Sequence, residues 1–157
     1  MISMTNNSAD SKAKDRAMAI IARRMVSHRE LVDKLVQKGE TRDEAEHIAD
    51  WMLEVGLLND QEYAAEIVRH YSTRGYGKRR VEQELQRRGI DREHWAVALE
   101  ELPPENDEVI DQFIQSKLRG QIPDRREEKR VADALARRGY DWDEINAGMR
   151  RHKEHLP

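Results

Sequence analysis

The sequence of 157 residues contains no cysteine. This absence excludes disulfides, thiolate nucleophiles and cysteine-bound zinc. Aromatic residues make up 5% of the chain and charged residues 38%, so we expect a stack of helices with a thin core, not one large core. No apolar run approaches the roughly 20 residues that cross a bilayer, and the polar stretch from Met1 to Lys14 lacks a signal-peptide segment. We therefore expect a cytoplasmic protein.

Side chains that carry chemistry are not arranged in any catalytic pattern. The turn from Gly75 to Lys78 lacks the rest of a phosphate-binding loop. Neighbouring acids such as Glu100 and Glu101 point in different directions on a helix. His152 and His155 have the spacing of helical metal ligands but no accompanying carboxylate pattern. We therefore expect no catalytic residue, no metal site and no cofactor, and we interpret the chain as a binding protein, not an enzyme.

One pentapeptide pattern occurs three times at a constant interval. The segments Leu35 to Gly39, Leu85 to Gly89 and Leu135 to Gly139 each begin with leucine and end with glycine, and consecutive copies are 50 residues apart. Self-similarity at a fixed period is typical of repeat proteins, in which each unit is one supersecondary element that packs on its neighbours. The sequence therefore predicts three tandem repeats.

Each repeat carries start and stop signals for short helices. Ser27 with Glu30, and Thr41 with Glu44, form capping boxes. The glycine of each pentapeptide is placed to end a helix in the left-handed conformation, and no segment alternates as a strand would. We predict an all-α, elongated array of three tandem three-helix repeats. The predicted boundaries are a disordered N-terminal tail at 1–15, repeats at 16–56, 57–103 and 104–152, and a C-terminal tail at 153–157.

Apolar spacing predicts the buried face of each helix. Leu35, Leu85 and Leu135 are expected at equivalent core positions because each lies on the apolar stripe before the terminating glycine. Asp91 is expected to cap a further helix in the second repeat. The other predicted core side chains are Met18, Ile21, Ala22 and Met25; Leu31 and Val36; Ala45, Ile48, Ala49, Met52 and Leu53; Tyr63, Ile67, Val68 and Tyr71; Val81; Trp95, Leu99 and Leu102; Val109, Ile110, Phe113 and Ile114; Val131; and Ile145 and Met149.

The net charge of −3 conceals a segregation of charge along the chain. Residues 74–92 and 117–138 are rich in lysine and arginine, whereas 93–116 contain neither and 40–66 contain only Arg42. On stacked repeats such blocks become stripes that steer charged partners. Any single block is also compatible with an ordinary solvated helix face.

The segment from Arg74 to Arg80 places an aromatic ring within a cluster of four cations. Guanidinium and ammonium groups neutralise phosphate or carboxylate, and an exposed tyrosine stacks on a base or a partner side chain. For each group a purely structural role stays open as the alternative to partner binding. Tyr76 would pack into the seam between repeats, and the arginines at helix ends would only satisfy free carbonyls. We predict a partner-binding surface, called the basic surface, that comprises Arg74, Tyr76, Lys78, Arg79, Arg80, Arg87, Arg88, Arg125, Arg126, Lys129 and Arg130.

Four motifs occur in an order that resembles one known family. Ser27 to Gly39 matches Ser-x-x-Glu-Leu-x-x-Lys-Leu-x-x-Lys-Gly, and Leu57 to Ala64 matches Leu-x-[Asp/Asn]-Asp-x-x-[Phe/Tyr]-Ala. Arg74 to Gly77 matches Arg-Gly-[Tyr/Trp]-Gly before a basic helix, and Arg137 to Ile145 matches Arg-Arg-Gly-[Phe/Tyr]-x-x-x-x-Ile. From about residue 17 to about residue 150 the chain resembles the RecX family of bacterial recombinase regulators.

The resemblance implies a curved array that binds the RecA recombinase in the groove of its filament on single-stranded DNA. There it would limit filament growth and inhibit strand exchange, ATP hydrolysis and co-protease activity, which modulates DNA repair and the SOS response. Direct contact with single- or double-stranded DNA is a second implied interaction. We expect a monomer with no membrane partner, and the basic surface would contact RecA or DNA.

Two other functions are compatible with the residues themselves. One is a helical module that binds DNA or RNA directly, and the other is a generic adaptor scaffold. Stripes of charge do not distinguish a protein filament from bare nucleic acid. A sequence pI near 6.1 argues against nucleic acid as the only partner.

Overall fold

The computed structural model describes residues 4–103 and 106–156, and every regular element in these ranges is a helix. The predicted all-α class is confirmed. The predicted boundaries at 1, 104 and 157 lie outside the described residues. The helices are α1 (Met4–Arg23), α2 (His28–Gln37), α3 (Arg42–Glu54), α4 (Asp60–Thr73), α5 (Lys78–Arg87), a 3₁₀ helix (Arg92–His94), α6 (Trp95–Leu99), α7 (Asp107–Leu118), α8 (Arg125–Arg137) and α9 (Trp142–Glu154).

The chain folds into two compact units. The first unit comprises the chain up to Glu66 together with Leu85–Ala96, and the second comprises Ile67–Glu84 together with the chain from Val97 onward. Helices α4, α5 and α6 therefore contribute residues to both units. The division into three sequence repeats stays a prediction.

The core of the first unit lies among α1, α2 and α3, which pack against one another. Leu31, Leu35 and Met52 are fully buried there. The entry into α2 is fixed as predicted: the Ser27 hydroxyl accepts the backbone N–H of Glu30, and the Glu30 carboxylate accepts the backbone N–H of Ser27. The helix ends before Gly39, whose φ of 108° is in the left-handed region that glycine tolerates.

Helix α1 buries a different face from the predicted one. Ala13, Ala17 and Ile20 are buried, whereas Met18 and Met25 are 42% and 39% exposed. The buried set also has the spacing of one helix face, but it begins in the stretch for which the sequence predicted a disordered tail. No glycine or proline interrupts residues 4–23, so the helix extends into that stretch and small alanine side chains approach the core.

The core of the second unit lies among α7, α8 and α9, which also contact one another. Ile110, Ile114 and Leu135 are fully buried. Asp124 begins α8 with a capping box to Glu127, and the Asp141 side chain accepts the backbone N–H of Glu144 at the start of α9.

Some predicted core positions are exposed. Val109 is 38% exposed and Leu53 is 40% exposed, because each lies at the edge of its helix's apolar stripe, next to fully buried neighbours. Ala22 is also exposed, and Ile21, Tyr71 and Phe113 are only half-buried.

The predicted helix after Asp91 is shorter than expected. Asp91 makes no side-chain cap, and the chain forms one 3₁₀ turn before the five residues of α6. The indole Nε1–H of Trp95 donates to the carbonyl of Ile90 at 2.9 Å, which holds this segment close to the preceding turn. Leu99 and Leu102 are consequently only half-buried.

Candidate partner-binding surface

In the second unit, the carboxyl end of α8 lies on the amino end of α5. The backbone N–H of Gly77 donates to the carbonyl of Arg138 at 2.7 Å, and the N–H of Arg79 donates to the carbonyl of Gly139 at 3.2 Å. The first N–H groups and the last carbonyls of a helix have no partners within it. The backbone donors at the start of α5 and the backbone acceptors at the end of α8 therefore satisfy one another. We call this contact the α8–α5 joint.

Neither glycine of the α8–α5 joint, Gly77 or Gly139, leaves room for a side chain at its position. A Cβ atom on Gly77 would lie 2.5 Å from the carbonyl oxygen of Gly139. A Cβ atom on Gly139 would lie 2.7 Å from the Cβ of Arg80, and Gly139 also has a φ of 100°. The two backbones approach this closely only because neither position carries a side chain.

Tyr76 is half-buried beside the α8–α5 joint, among cations. The guanidinium groups of Arg80 and Arg138 lie 5.8 Å and 5.5 Å from its ring centroid. The ring of Tyr71 meets it edge-on at 5.4 Å, and Arg138 Nη1 donates to the carbonyl of Arg74 at 3.4 Å. Tyr76 therefore packs against residues of its own unit and is not fully buried. Its contact with a partner stays a prediction.

A matching contact occurs in the first unit, fifty residues earlier in the sequence. The Ser27 hydroxyl at the start of α2 donates to the carbonyl of Arg88 after the end of α5. Arg88 Nη1 in turn donates to the hydroxyl of Tyr63 at 2.7 Å. We call this contact the α5–α2 joint.

The period of the sequence thus recurs in the packing. Ser27, Arg88 and Tyr63 correspond at an offset of fifty to Gly77, Arg138 and Phe113, and the Arg138 guanidinium lies 4.9 Å from the Phe113 ring centroid. In each joint an arginine that follows the carboxyl end of a helix has its carbonyl bonded to the amino end of another helix. Its guanidinium contacts the aromatic ring of a third helix.

The residues of the basic surface have different surroundings. Arg88 is half-buried in the α5–α2 joint of the first unit, where Arg87 is exposed. In the second unit, Lys78 pairs with Glu82 at 3.9 Å and the Arg74 guanidinium contacts the His70 ring. The remaining exposed cations form no ion pair with any residue that the structure describes; they are Arg79, Arg125, Arg126, Lys129 and Arg130.

Arg138 contacts residues of the predicted basic surface, although the sequence did not place it there. It was interpreted only as a cation at a helix end, yet its side chain contacts Tyr76, Phe113 and the carbonyl of Arg74. The available signal was its offset of fifty from Arg88, which the sequence did place in the basic surface. The side chain of Arg138 therefore joins α8 to the segment around Tyr76 within the second unit.

The first unit also contains a polar cavity of about 750 Å³ that the sequence did not predict. Asp60 lines it, is 9% exposed, and accepts the backbone N–H of His28 at 2.9 Å. Burial raises the pKa of Asp60 above its ordinary value of 3.8, and the hydrogen bond from His28 opposes this shift. The His28 ring Nε2 lies 2.7 Å from a carboxylate oxygen of Asp50.

No group of three potential metal ligands occurs among the residues that the structure describes. The histidine pair noted in the sequence contacts backbone instead: His152 Nε2 lies 3.2 Å from the carbonyl of Gln121, and His155 Nδ1 lies 2.7 Å from the carbonyl of Arg151. Within the described ranges, no helix is long and apolar enough to cross a membrane.

Comparison with known proteins identifies relatives of this fold and sequence. Residues 59–99 match the family model described as RecX, second three-helix domain. The crystal structure of RecX from Lactobacillus salivarius superposes with a TM-score of 0.82 at 19% identity, covering 94% of this chain and 99% of that one. A second crystal structure, of a regulatory protein RecX, gives a TM-score of 0.79 at 22% identity, covering 96% of this chain and 79% of that one. These likenesses establish the fold.

Sequence relatives are more similar. The regulatory protein RecX of Pseudomonas syringae pv. tomato is 35% identical over 130 residues, which cover 82% of this chain and 84% of that protein. The regulatory protein RecX of Xanthomonas citri is 32% identical over 86% of this chain and 84% of its own. Fold and relatives together define the class as all-α regulatory proteins. Within that class, the chain belongs to the RecX family.

Proposed function

We propose that this protein binds the filament of the RecA recombinase through its basic surface and inhibits the filament's recombinase, ATPase and co-protease activities. This would modulate DNA repair and the SOS response. Membership of the RecX family supports the choice of RecA as the partner. The observation that carries the choice of surface is the set of exposed cations in the second unit without ion pairs among the described residues. Exposed cations of this kind attract an anionic partner and can pair with its acidic groups.

The α8–α5 joint gives this surface a fixed framework. The backbone N–H of Arg79 donates to the carbonyl of Gly139, and that of Gly77 donates to the carbonyl of Arg138. The Arg79 side chain therefore projects from a helix start whose backbone is fixed by hydrogen bonds. Preorganised cations lose less conformational entropy on binding than cations on a mobile loop. We propose that Arg79 and Lys129 contact acidic groups of RecA or DNA phosphates within the filament.

Direct DNA binding is the second candidate function. The ring of Tyr76 lies within 5.8 Å of the guanidinium groups of Arg80 and Arg138, and aromatic rings among cations provide stacking and phosphate neutralisation for single strands. The formal net charge of −3 opposes nucleic acid as the sole partner, because long-range repulsion from the rest of the chain weakens the association. We therefore rank RecA binding first. We further propose that the protein acts as a cytoplasmic monomer.

The decisive experiment measures ATP hydrolysis by RecA on single-stranded DNA. Addition of this protein well below one molecule per RecA should slow turnover, because filament inhibition affects many subunits per bound molecule. The protein alone should hydrolyse no ATP. Unchanged RecA turnover with one molar equivalent of the protein would rule out the proposed function.

A salt titration separates the two candidate partners. Binding to single-stranded DNA alone should weaken steeply with salt, since each neutralised phosphate releases counterions. Binding to the RecA–DNA filament should persist to higher salt if protein contacts contribute. The same affinity and the same salt slope with and without RecA would favour direct DNA binding.

A further inference from the structure

The second unit contains an open cavity of about 560 Å³ beside α7, α8 and the turn between them. Its most buried lining residues are aliphatic: Leu118 is 7% exposed and Val131 is 5% exposed, with Ala134 beside them. This volume falls in the roughly 300–1,000 Å³ range of ligand pockets. The cavity is therefore large enough to accept a side chain and adjoining backbone of another molecule.

The aliphatic side chains are surrounded by positive charge. Four cations line the cavity, namely Lys117, Arg119, Arg130 and Arg137, and none of them forms an ion pair within the described part of the chain. The one acid in the lining, Glu127, accepts the backbone N–H of Asp124 in the capping box of α8. The cavity thus combines an apolar interior with a net positive rim.

Arg119 lines this cavity and has an unfavourable backbone conformation. It is the only residue other than glycine with a positive φ in the described ranges, with φ 51° and ψ 39°. A side chain with a Cβ disfavours this region, and glycine or asparagine normally occupies it at a helix end. Unfavourable backbone conformations concentrate at binding sites, and Arg119 is one of the residues that line this cavity.

We propose that this cavity binds an acidic peptide segment of a partner protein, with one aliphatic or aromatic side chain of that segment inserted against Leu118 and Val131. The cations would pair with flanking carboxylates. None of the lining residues is aromatic, so the cavity offers no platform on which a nucleobase would stack. This site goes beyond the proposed function because it holds whichever protein supplies the segment, although Arg130 belongs to both surfaces.

The test uses the full chain and a labelled synthetic peptide of about twelve residues, with one leucine among aspartates and glutamates. We expect saturable binding by fluorescence anisotropy, with NMR shifts at the methyl groups of Leu118 and Val131. Replacing the peptide leucine by serine should weaken binding by about tenfold or more, because burial of a leucine side chain contributes at least that factor. A poly-dT oligonucleotide at the same concentration should leave these methyl signals unchanged.

Three protein variants locate the site. Ala134→Phe should occupy the cavity and reduce peptide affinity at least tenfold. Arg119→Asn removes the charge with a residue that tolerates the left-handed backbone and should weaken binding severalfold. Arg150→Gln, which removes an exposed cation of α9 outside the lining, is the matched control and should bind like the parent chain.

Distinct results overturn the proposal. Equal affinity for the leucine and serine peptides would mean general attraction to acidic chains. Unaltered binding to both Ala134→Phe and Arg119→Asn would place the peptide elsewhere. Methyl shifts with the oligonucleotide but not with the peptide would assign the cavity to nucleic acid. None of these results depends on the RecA assay, so failure here is separate from failure of the proposed function.

Discussion

Gly77 and Gly139 lie so close together that neither position has room for a Cβ atom. The first precedes α5 and the second follows α8, and the hydrogen bonds around them join the two helix ends within the second unit. The glycine that ends the last pentapeptide therefore has two functions. It ends helix α8, and it allows the backbone at the start of α5 to reach the carbonyls of Arg138 and Gly139.

Two alanine substitutions separate these functions. Gly39 and Gly139 have similar φ values of 108° and 100°, but a Cβ at Gly39 meets nothing within 4 Å. Gly39→Ala should therefore cost only the left-handed strain of about 1 kcal/mol. Gly139→Ala adds overpacking of about 1–3 kcal/mol. The free energy of unfolding in urea measures both, and equal losses would mean that the joint adapts to the extra methyl group.

Loss of a pentapeptide leucine should be costly in each repeat. Leu35, Leu85 and Leu135 are all fully buried, so truncation to alanine removes core contacts and leaves a cavity. We expect a loss of about 2–5 kcal/mol for each by urea unfolding. Leu57→Ala is the matched control, because Leu57 is 42% exposed, and it should cost much less. Losses below about half a kcal/mol at all three sites would contradict their assignment to the core.

The buried carboxyl of Asp60 should make stability depend on pH in a defined direction. Its pKa is raised in the folded state, mainly by burial. The folded chain therefore binds a proton at Asp60 more readily than the unfolded chain does. The stabilisation associated with Asp60 is present at pH values below the ordinary pKa of 3.8 and is lost as the pH rises through the higher folded pKa. Asp60→Asn keeps an acceptor for the His28 N–H but does not titrate.

The stability of Asp60→Asn relative to the parent chain should therefore increase as the pH rises from about 3.5 to 7. Paired urea titrations at several pH values measure this difference. Glu62→Gln, an exposed position on the same helix, controls for general charge effects. A relative stability that falls over the same pH range would show that the folded state favours the ionised carboxyl.

Charge reversal tests the surface proposed to contact RecA. Arg79 and Lys129 are exposed and form no ion pair with the described residues. Arg79→Glu combined with Lys129→Glu should weaken inhibition of RecA ATP hydrolysis by tenfold or more. Thermal unfolding should change little, since exposed charges contribute only about 0–1 kcal/mol.

Arg42→Glu is the control for that variant. Arg42 is exposed and lies 3.6 Å from Asp33 in the first unit, away from the basic blocks in sequence. Its reversal should affect inhibition much less. Equal losses in both proteins would point to net charge, and full inhibition by the Arg79 and Lys129 variant would exclude those two positions as essential contacts.

The sequence predicted the elements of the fold best where chemistry is local. The side chains of Ser27 and Thr41 cap their helices as predicted, because a cap depends on residues within one turn. The predicted buried face of α1 was wrong because the helix has two sets of apolar positions with helical spacing. One set includes Met18 and the other includes Ala17. Only packing against α2 and α3 decides between them.

The candidate surface was less accessible to sequence reasoning. The sequence brought Tyr76 together with Arg80, which are neighbours in the chain, but it missed Arg138, which reaches the same ring from another helix. It also included Arg88, whose guanidinium bonds to Tyr63 within the first unit. Positive charge is visible in a sequence, but whether a guanidinium faces solvent or an internal ring depends on tertiary contacts.

The amino end of α5 bonds to acceptors at the end of another helix, and this has a consequence for protein synthesis. Helices α2 and α8 complete their own amino ends with the side chains of Ser27 and Asp124, but Gly77 has no side chain to do so. The carbonyls that serve α5 belong to Arg138 and Gly139, which leave the ribosome much later. The first turn of α5 therefore lacks these two hydrogen bonds on the nascent chain until the last repeat has been translated. The middle of the protein completes its hydrogen bonding only when the C-terminal part has been made.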